Sequence, residues 1–256
     1  MINNLDHGTL IMELVFIILI VLVVAFIFSI VGLGGAIIYV PLFYWLGIDL
    51  DIAIPTALFL NCITTSSASL TYHRRKMIAM QMALPFIVTS VLFAPIGAYF
   101  SGLLDDNLIL CIFSVIMVIA GIRMLLPIES GKTVSSKRAA MIGIPAGMVI
   151  GFTVGLLGLG GGTFVVPLFL MLGLEAKKAS ATSAVFVLFT SLSGLLGHIG
   201  TGTIDVSFML FAGVAAFIGA QVGSLTMADY MESRTVLKVF GIILLVIGAR
   251  IIYCLI

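Results

Sequence analysis

Residues 32–47 read GLGGAIIYVPLFYWLG, and residues 158–173 read GLGGGTFVVPLFLMLG. The two stretches agree at ten of 16 positions, at a constant offset of 126. The register continues beyond them. Thr56 meets Thr182, Thr64 meets Thr190 and Ser67 meets Ser193; one residue later in phase, Phe113, Gly121 and Arg123 meet Phe240, Gly248 and Arg250. Self-similarity over such a period decides an architecture before any local reading does. The chain reads as two repeats, residues 1–130 and 131–256.

Each copy of the motif is a short apolar run set behind a cluster of glycines. The runs near 36–47 and 163–173 would be roughly 18 Å long as helix, too short for a hydrocarbon core of about 30 Å. Around them lie longer apolar runs, near 12–30, 54–72, 78–100, 107–126, 139–157, 180–198, 205–226 and 235–255, each long enough to cross. Composition agrees. Of 256 residues, 62% are hydrophobic and 9% charged, and the mean hydropathy is +1.33. A water-soluble domain of this size carries about a quarter charged residues. The expected fold is therefore an all-α integral membrane protein. It would contain two repeats of one Gly-broken helix pair and three transmembrane helices, giving eight full-length segments and two short ones. No soluble domain is expected, since the longest polar connection runs only from Pro127 to Lys137.

Other classes fall away. A net charge of +1 with no long basic run argues against nucleic acid as a partner. Cys62, Cys111 and Cys254 have no metal-ligand spacing and read as small apolar residues. Gly131-Lys132-Thr133 ends like a phosphate loop, but the first glycine would be at position 126, which is Leu. Gly158-Leu159-Gly160 lacks the third glycine of a dinucleotide loop, because position 163 is Thr. Neither follows a strand, and no cofactor is expected. Deep Ser–His or Asp pairs are missing, so an intramembrane enzyme is not expected either. The N-terminus is acidic at Asp6 where a cleavable signal would be basic.

Lys and Arg set the orientation, because they gather on the cytoplasmic side. If each Gly-broken pair enters and leaves on one side, eleven of the 12 fall on one face and only Arg250 on the other. If each pair counts as one crossing, the split is eight against four. The first arrangement wins. It makes the repeats inverted and places both termini outside, with Asp49, Asp51, Asp105, Asp106 and Asp205 outside as well.

A helix that starts in mid-membrane exposes unpaired N–H groups and a partial positive charge. In lipid these must be satisfied, so such a start lines a cavity or holds a ligand. Inverted repeats with interrupted helices are the pattern of secondary transporters. Gly34 and Gly35 precede one start, and Gly160, Gly161 and Gly162 the other. Successive glycines can form a concave N–H nest that suits an anion. The evenly spaced Gly143, Gly147, Gly151 and Gly155 read instead as a packing stripe. Polar residues within the spans extend the candidate site: Asn61, Thr64 and Thr65 on one helical face, Thr182 and Ser183 in the partner span, Thr163 at the head of the second short run, and Gln221 near the end of the chain. An amide is costly in lipid without a partner, whereas Ser and Thr often bond their own backbone. All 11 Asp and Glu lie at span ends or in loops, so no buried carboxylate relay is expected. His198, at a span end, reads as an interfacial residue. Arg250 reads as snorkelling to the headgroups, or as drawing anions to an outer vestibule.

These residues also carry a resemblance. GLGGAIIYVPLF, its copy GLLGLGGGTFVVPLF, the following ASATSAVFVLFTSLSG and the HIGTGTID segment resemble the TauE/SafE family of membrane permeases, and the likeness covers nearly the whole chain. The first repeat departs from the pattern at Ala36, where a third glycine would stand, and at Pro55-Thr56-Ala57, where Ala-Thr-Ser would stand. The resemblance implies export or uptake of small sulfur-containing anions such as sulfite, sulfoacetate and related organosulfonates. The expected activity is thus secondary transport of such an anion. A passive anion channel, or a permease for another small oxyanion or carboxylate, is the alternative. The partners are the anion and the lipid bilayer; oligomeric state is not written in the sequence.

Overall fold

The computed structural model describes residues 7–101, 103–126, 134–198 and 206–230, and further along residues 238, 242, 245–246 and 248–253. The boundary between the proposed repeats, Lys132, Asp205, Arg234, Cys254 and both termini lie outside the described residues, as does most of the run near 235–255. All regular structure among the described residues is helical. Long apolar segments have no water to bond their backbone in lipid, and a helix satisfies those groups within the segment.

The helices are α1 (His7–Val31), α2 (Ala36–Trp45), α3 (Leu50–Arg74), α4 (Met80–Ser101), α5 (Asp106–Leu125), α6 (Ser136–Leu157), α7 (Gly162–Met171), α8 (Ala176–His198) and α9 (Val206–Tyr230). The starts of α2 and α7, of α3 and α8, and of α4 and α9 are each 126 residues apart. Among the described residues, five stretches are long and apolar enough to cross a membrane: Leu50–Arg74, Met80–Ser101, Arg138–Leu157, Ala176–His198 and Met209–Tyr230. The apolar stretches Ile17–Val31, within α1, and Asn107–Ile119, within α5, are shorter, as are α2 and α7. Local chemistry fixes several ends. Asp105 caps α5 by accepting from the Asn107 N–H at 2.8 Å. Gly158 ends α6 in the left-handed conformation at φ 70, which costs glycine nothing.

The packing crosses between the halves. On α6, Gly143, Gly147, Gly151 and Gly155 lie against Phe86, Thr89, Ser90 and Ala94 of α4, so closely that an added Cβ would overlap the α4 backbone at three of the four. The stripe is a packing face, as expected. Gly219 and Gly223 of α9 sit in the same way on Leu22 and Phe26 of α1. In both pairs the residue numbers rise together, so the helices run in the same direction. The α3–α9 pair is also parallel, with Phe59 near Gly213 and Thr71 bonded to Ser224. So is the α4–α8 pair, with Ser90 at Thr190 and Pro95 at Gly197. The α3–α8 pair is antiparallel: Leu58 faces Gly194 while Asn61 bonds Ser191. Hence α1, α3 and α9 point one way, and α4, α6 and α8 the other.

One end of the bundle gathers the basic groups. Arg75, just past α3, pairs with Asp229 of α9 at 3.0 Å. Lys177, in the first turn of α8, donates to the Ala228 carbonyl at 3.4 Å. The opposite end holds Asp49 and Asp51 at the start of α3 and His198 at the end of α8. His198 Nε2 lies 2.9 Å from the Gly155 carbonyl.

Candidate functional site

Both short helices begin beside the middle of a long one. The first N–H of α2, on Ala36, meets Asn61 of Leu50–Arg74. The residue before α7, Gly161, lies against Phe186 of Ala176–His198 and Val154 of α6. The two breaks also touch. An added Cβ on Gly162 would press on the Leu33 backbone, and one on Gly32 on the Ser180 backbone.

Asn61 stands between them. It is fully buried. Its Oδ1 accepts from Ala36 N at 3.4 Å, and its Nδ2 donates to Ser191 Oγ at 2.8 Å. Gly34 and Gly160 lie against its carboxamide from the two breaks. A Cβ on the former would overlap Oδ1 and on the latter Nδ2. Both glycines have positive φ, 67 and 75, a region that is costly for other residues. Close approach and backbone conformation therefore both demand glycine at these two positions.

The second break is built differently. Gly161 precedes α7 in the left-handed conformation, and no side chain among the described residues caps the helix. Thr163, in the first turn, is buried, and its Oγ1 has no hydrogen-bond partner among the described residues; Ser183 Oγ on α8 is in the same condition. Leaving such a group unpaired costs about 1–3 kcal/mol. Pro167 stands inside α7, as Pro41 does inside α2. Lacking an N–H, it leaves the Thr163 carbonyl without its usual partner four residues on. Thr163 thus presents an unpartnered hydroxyl at a helix start with an uncapped positive pole.

The remaining candidates are engaged within the protein. Thr64 and Thr65 donate to Leu60 O and Asn61 O, at 2.8 and 2.7 Å, the backbone bonding open to any membrane Ser or Thr. Thr182 Oγ1 accepts from Ala79 N at 2.9 Å and so ties α8 to the connection between α3 and α4. Gln221 accepts from Ser67 Oγ at 2.9 Å and donates to Thr71 Oγ1 at 3.3 Å. Gly35 precedes α2 with its ideal Cβ position against the Tyr39 ring. Arg250 places its guanidinium 4.7 Å from the centre of the Trp45 ring, a cation–π contact that ties the end of α2 to the last segment. Sequence reading alone did not single out Ser90, which shares a 2.9 Å bond with Thr190, or Ser224, which donates to Thr71. Their signal was only that they are hydroxyls in apolar runs.

A match to a family model now adds to this geometry. The model described as sulfite exporter TauE/SafE matches residues 17–251. The chain belongs to the TauE/SafE family. Within it, the chain is similar to the probable membrane transporter protein YunE of Bacillus subtilis, 27% identical over 94% of this chain and 98% of that one. It is also similar to the probable membrane transporter protein y4hK of Sinorhizobium fredii, 24% identical over 90% and 95% of the two chains. Sulfite exporter TauE/SafE family protein 1 of Arabidopsis thaliana is 33% identical over 38% of this chain and 22% of its own. The TauE/SafE assignment makes the chain a multi-pass membrane protein of a transporter family, the class its apolar helices suggest.

Proposed function

We propose that this chain is a secondary transporter of small sulfur-containing anions, sulfite, sulfoacetate or related organosulfonates, working by alternating access between two inverted repeats. The observation that carries the proposal is the start of α7. An anion there would accept from the N–H groups of Gly162 and Thr163, next to Gly160 and Gly161, and from Thr163 Oγ1, with Ser183 as a further donor. Charge-assisted bonds of this kind are worth more than neutral ones, and a helix start favours negative charge. Hydroxyls and amides without a lysine hold an oxyanion weakly enough to release it.

Inversion is supported by helix direction. The helices equivalent at the repeat offset, α1 with α6, α3 with α8 and α4 with α9, run in opposite directions. Rocking one repeat against the other would then expose the breaks to the two sides in turn. Both termini are placed outside the inner membrane in this scheme. Cysteine labelling tests it: Leu50→Cys and Ile204→Cys should label from outside and Lys76→Cys from inside. Labelling of positions 50 and 204 from opposite faces overturns the inversion.

The functional test is uptake of radiolabelled sulfite and sulfoacetate into proteoliposomes loaded with the unlabelled anion. Saturable uptake, accelerated by the trans anion, is the expected result. Linear, unaccelerated flux identifies a passive channel instead. No flux of either compound through folded, inserted protein removes the sulfur assignment.

A further inference from the structure

A cleft of about 560 Å³ opens at the basic end of the bundle, between the α3–α4 connection and the α7–α8 connection. Lys76 and Lys178, one from each half of the chain, line it together with Met77, Met80 and Leu174. Of the basic side chains at this end, Arg75 is paired with Asp229 and Lys177 with the Ala228 carbonyl. Among the described residues Lys178 has only exposed Glu175, at 3.8 Å, and Lys76 has no acidic partner. Lys76 is also the one non-glycine residue among them with positive φ, at 55, a conformation that side chains other than glycine's rarely adopt. Two under-compensated ammonium groups thus converge over an apolar wall.

The wall continues outward. From Met80 at the cleft, Leu84, Val88, Leu92 and Ile96 form an exposed apolar row at every fourth residue along α4. The row is about 24 Å long at the rise of a helix, so its part nearest the cleft can take one acyl chain, which fills about half of the roughly 30 Å hydrocarbon core. We infer that this cleft and row bind an anionic phospholipid, with its phosphate between Lys76 and Lys178 and a chain along α4. Basic pockets between transmembrane helices at the cytoplasmic surface suit such headgroups. Ala79 forms part of the cleft and is bonded to Thr182, so an occupied cleft is linked to the residue next to Ser183.

The test uses the full chain, purified and delipidated in detergent, with native mass spectrometry to count bound lipid. Phosphatidylglycerol should be retained at about thirtyfold lower concentration than phosphatidylcholine with the same chains, from two lysines near a charged headgroup. The double variant Lys76→Gln/Lys178→Gln should lose that preference, while Lys76→Arg/Lys178→Arg and the control Arg74→Gln keep it; the Arg pair also shows that loss in the Gln pair is not misfolding. Equal retention of both lipids by the unaltered protein overturns the inference. So does a preference that survives in the Gln double variant. Displacement of phosphatidylglycerol by an equal concentration of glycerol phosphate would mark the cleft as a small-anion site and would equally refute the lipid.

Discussion

The starts of α2 and α7 come from one duplicated motif and end in different chemical states. At α2 the first N–H is met by the Asn61 carboxamide, which the second half anchors through Ser191. At α7 no side chain among the described residues caps the helix, and the buried hydroxyl of Thr163 has no partner among them. The position equivalent to Asn61, 126 residues on, is Val187, fully buried and apolar. A single difference in side chain, Asn61 against Val187, thus accompanies the difference between a helix start met by a carboxamide and one that is not. Pseudo-symmetric folds need not use their two halves equally. Here the first break braces the centre, and on the proposed reading the second is the one left for the ligand.

Giving α7 the state of α2 is the most drastic exchange. Val187→Asn should carry a carboxamide to α7 as Asn61 does to α2, and anion uptake in proteoliposomes should fall to background. Uptake at the unaltered level would show that α7 is not the binding start. Next in size, Thr163→Val should lower kcat/KM for uptake by about 10- to 100-fold, the worth of one hydrogen bond to a charged group. Its thermal midpoint should not fall, since the substitution removes a buried hydroxyl with no partner. A large drop in stability with unchanged transport would reverse the assignment. Asn61→Val should behave oppositely and be read in stability, with about 2–4 kcal/mol lost from the two partners it strands, measured by denaturation in detergent. The smallest effect concerns the third glycine. Gly162→Ala would press a methyl on the Leu33 backbone and cost about 1–3 kcal/mol, whereas Ala36→Gly, at the matching place, costs about 1 kcal/mol or less in helix propensity. Equal costs would mean that the two breaks pack alike.

The repeated motif, the short helices and their glycine heads are legible in the sequence because they depend on identity and length. The packing stripe on α6 is legible for the same reason: a glycine every fourth residue leaves one flat face, and the structure lays α4 along it. The division of labour between the breaks is not. The residues that differ, Asn61 and Val187, are plain to read, but which side chain reaches a helix start depends on how α3 crosses α8. Gln221 shows the same limit. Its amide is costly in lipid, and the cost is met by Ser67 and Thr71, about 150 residues earlier in the chain; only the α3–α9 packing brings them together. For Thr64 and Thr65 the hydroxyls turn to their own helix, which the sequence leaves as one of two open readings.

The interleaving of the halves has a consequence for how the protein is made. Helix α1 rests on α9, and α4 on α6 and α8, so surfaces produced early are completed only by helices produced late. At ordinary synthesis rates α9 follows α1 by about 10–35 s. For that interval the backbone-close glycine seats of α1 and α4 face lipid or the insertion machinery. A half-length chain would carry those bare surfaces indefinitely. Two halves produced as separate polypeptides in one cell should therefore find each other and restore uptake together, and each made alone should be degraded.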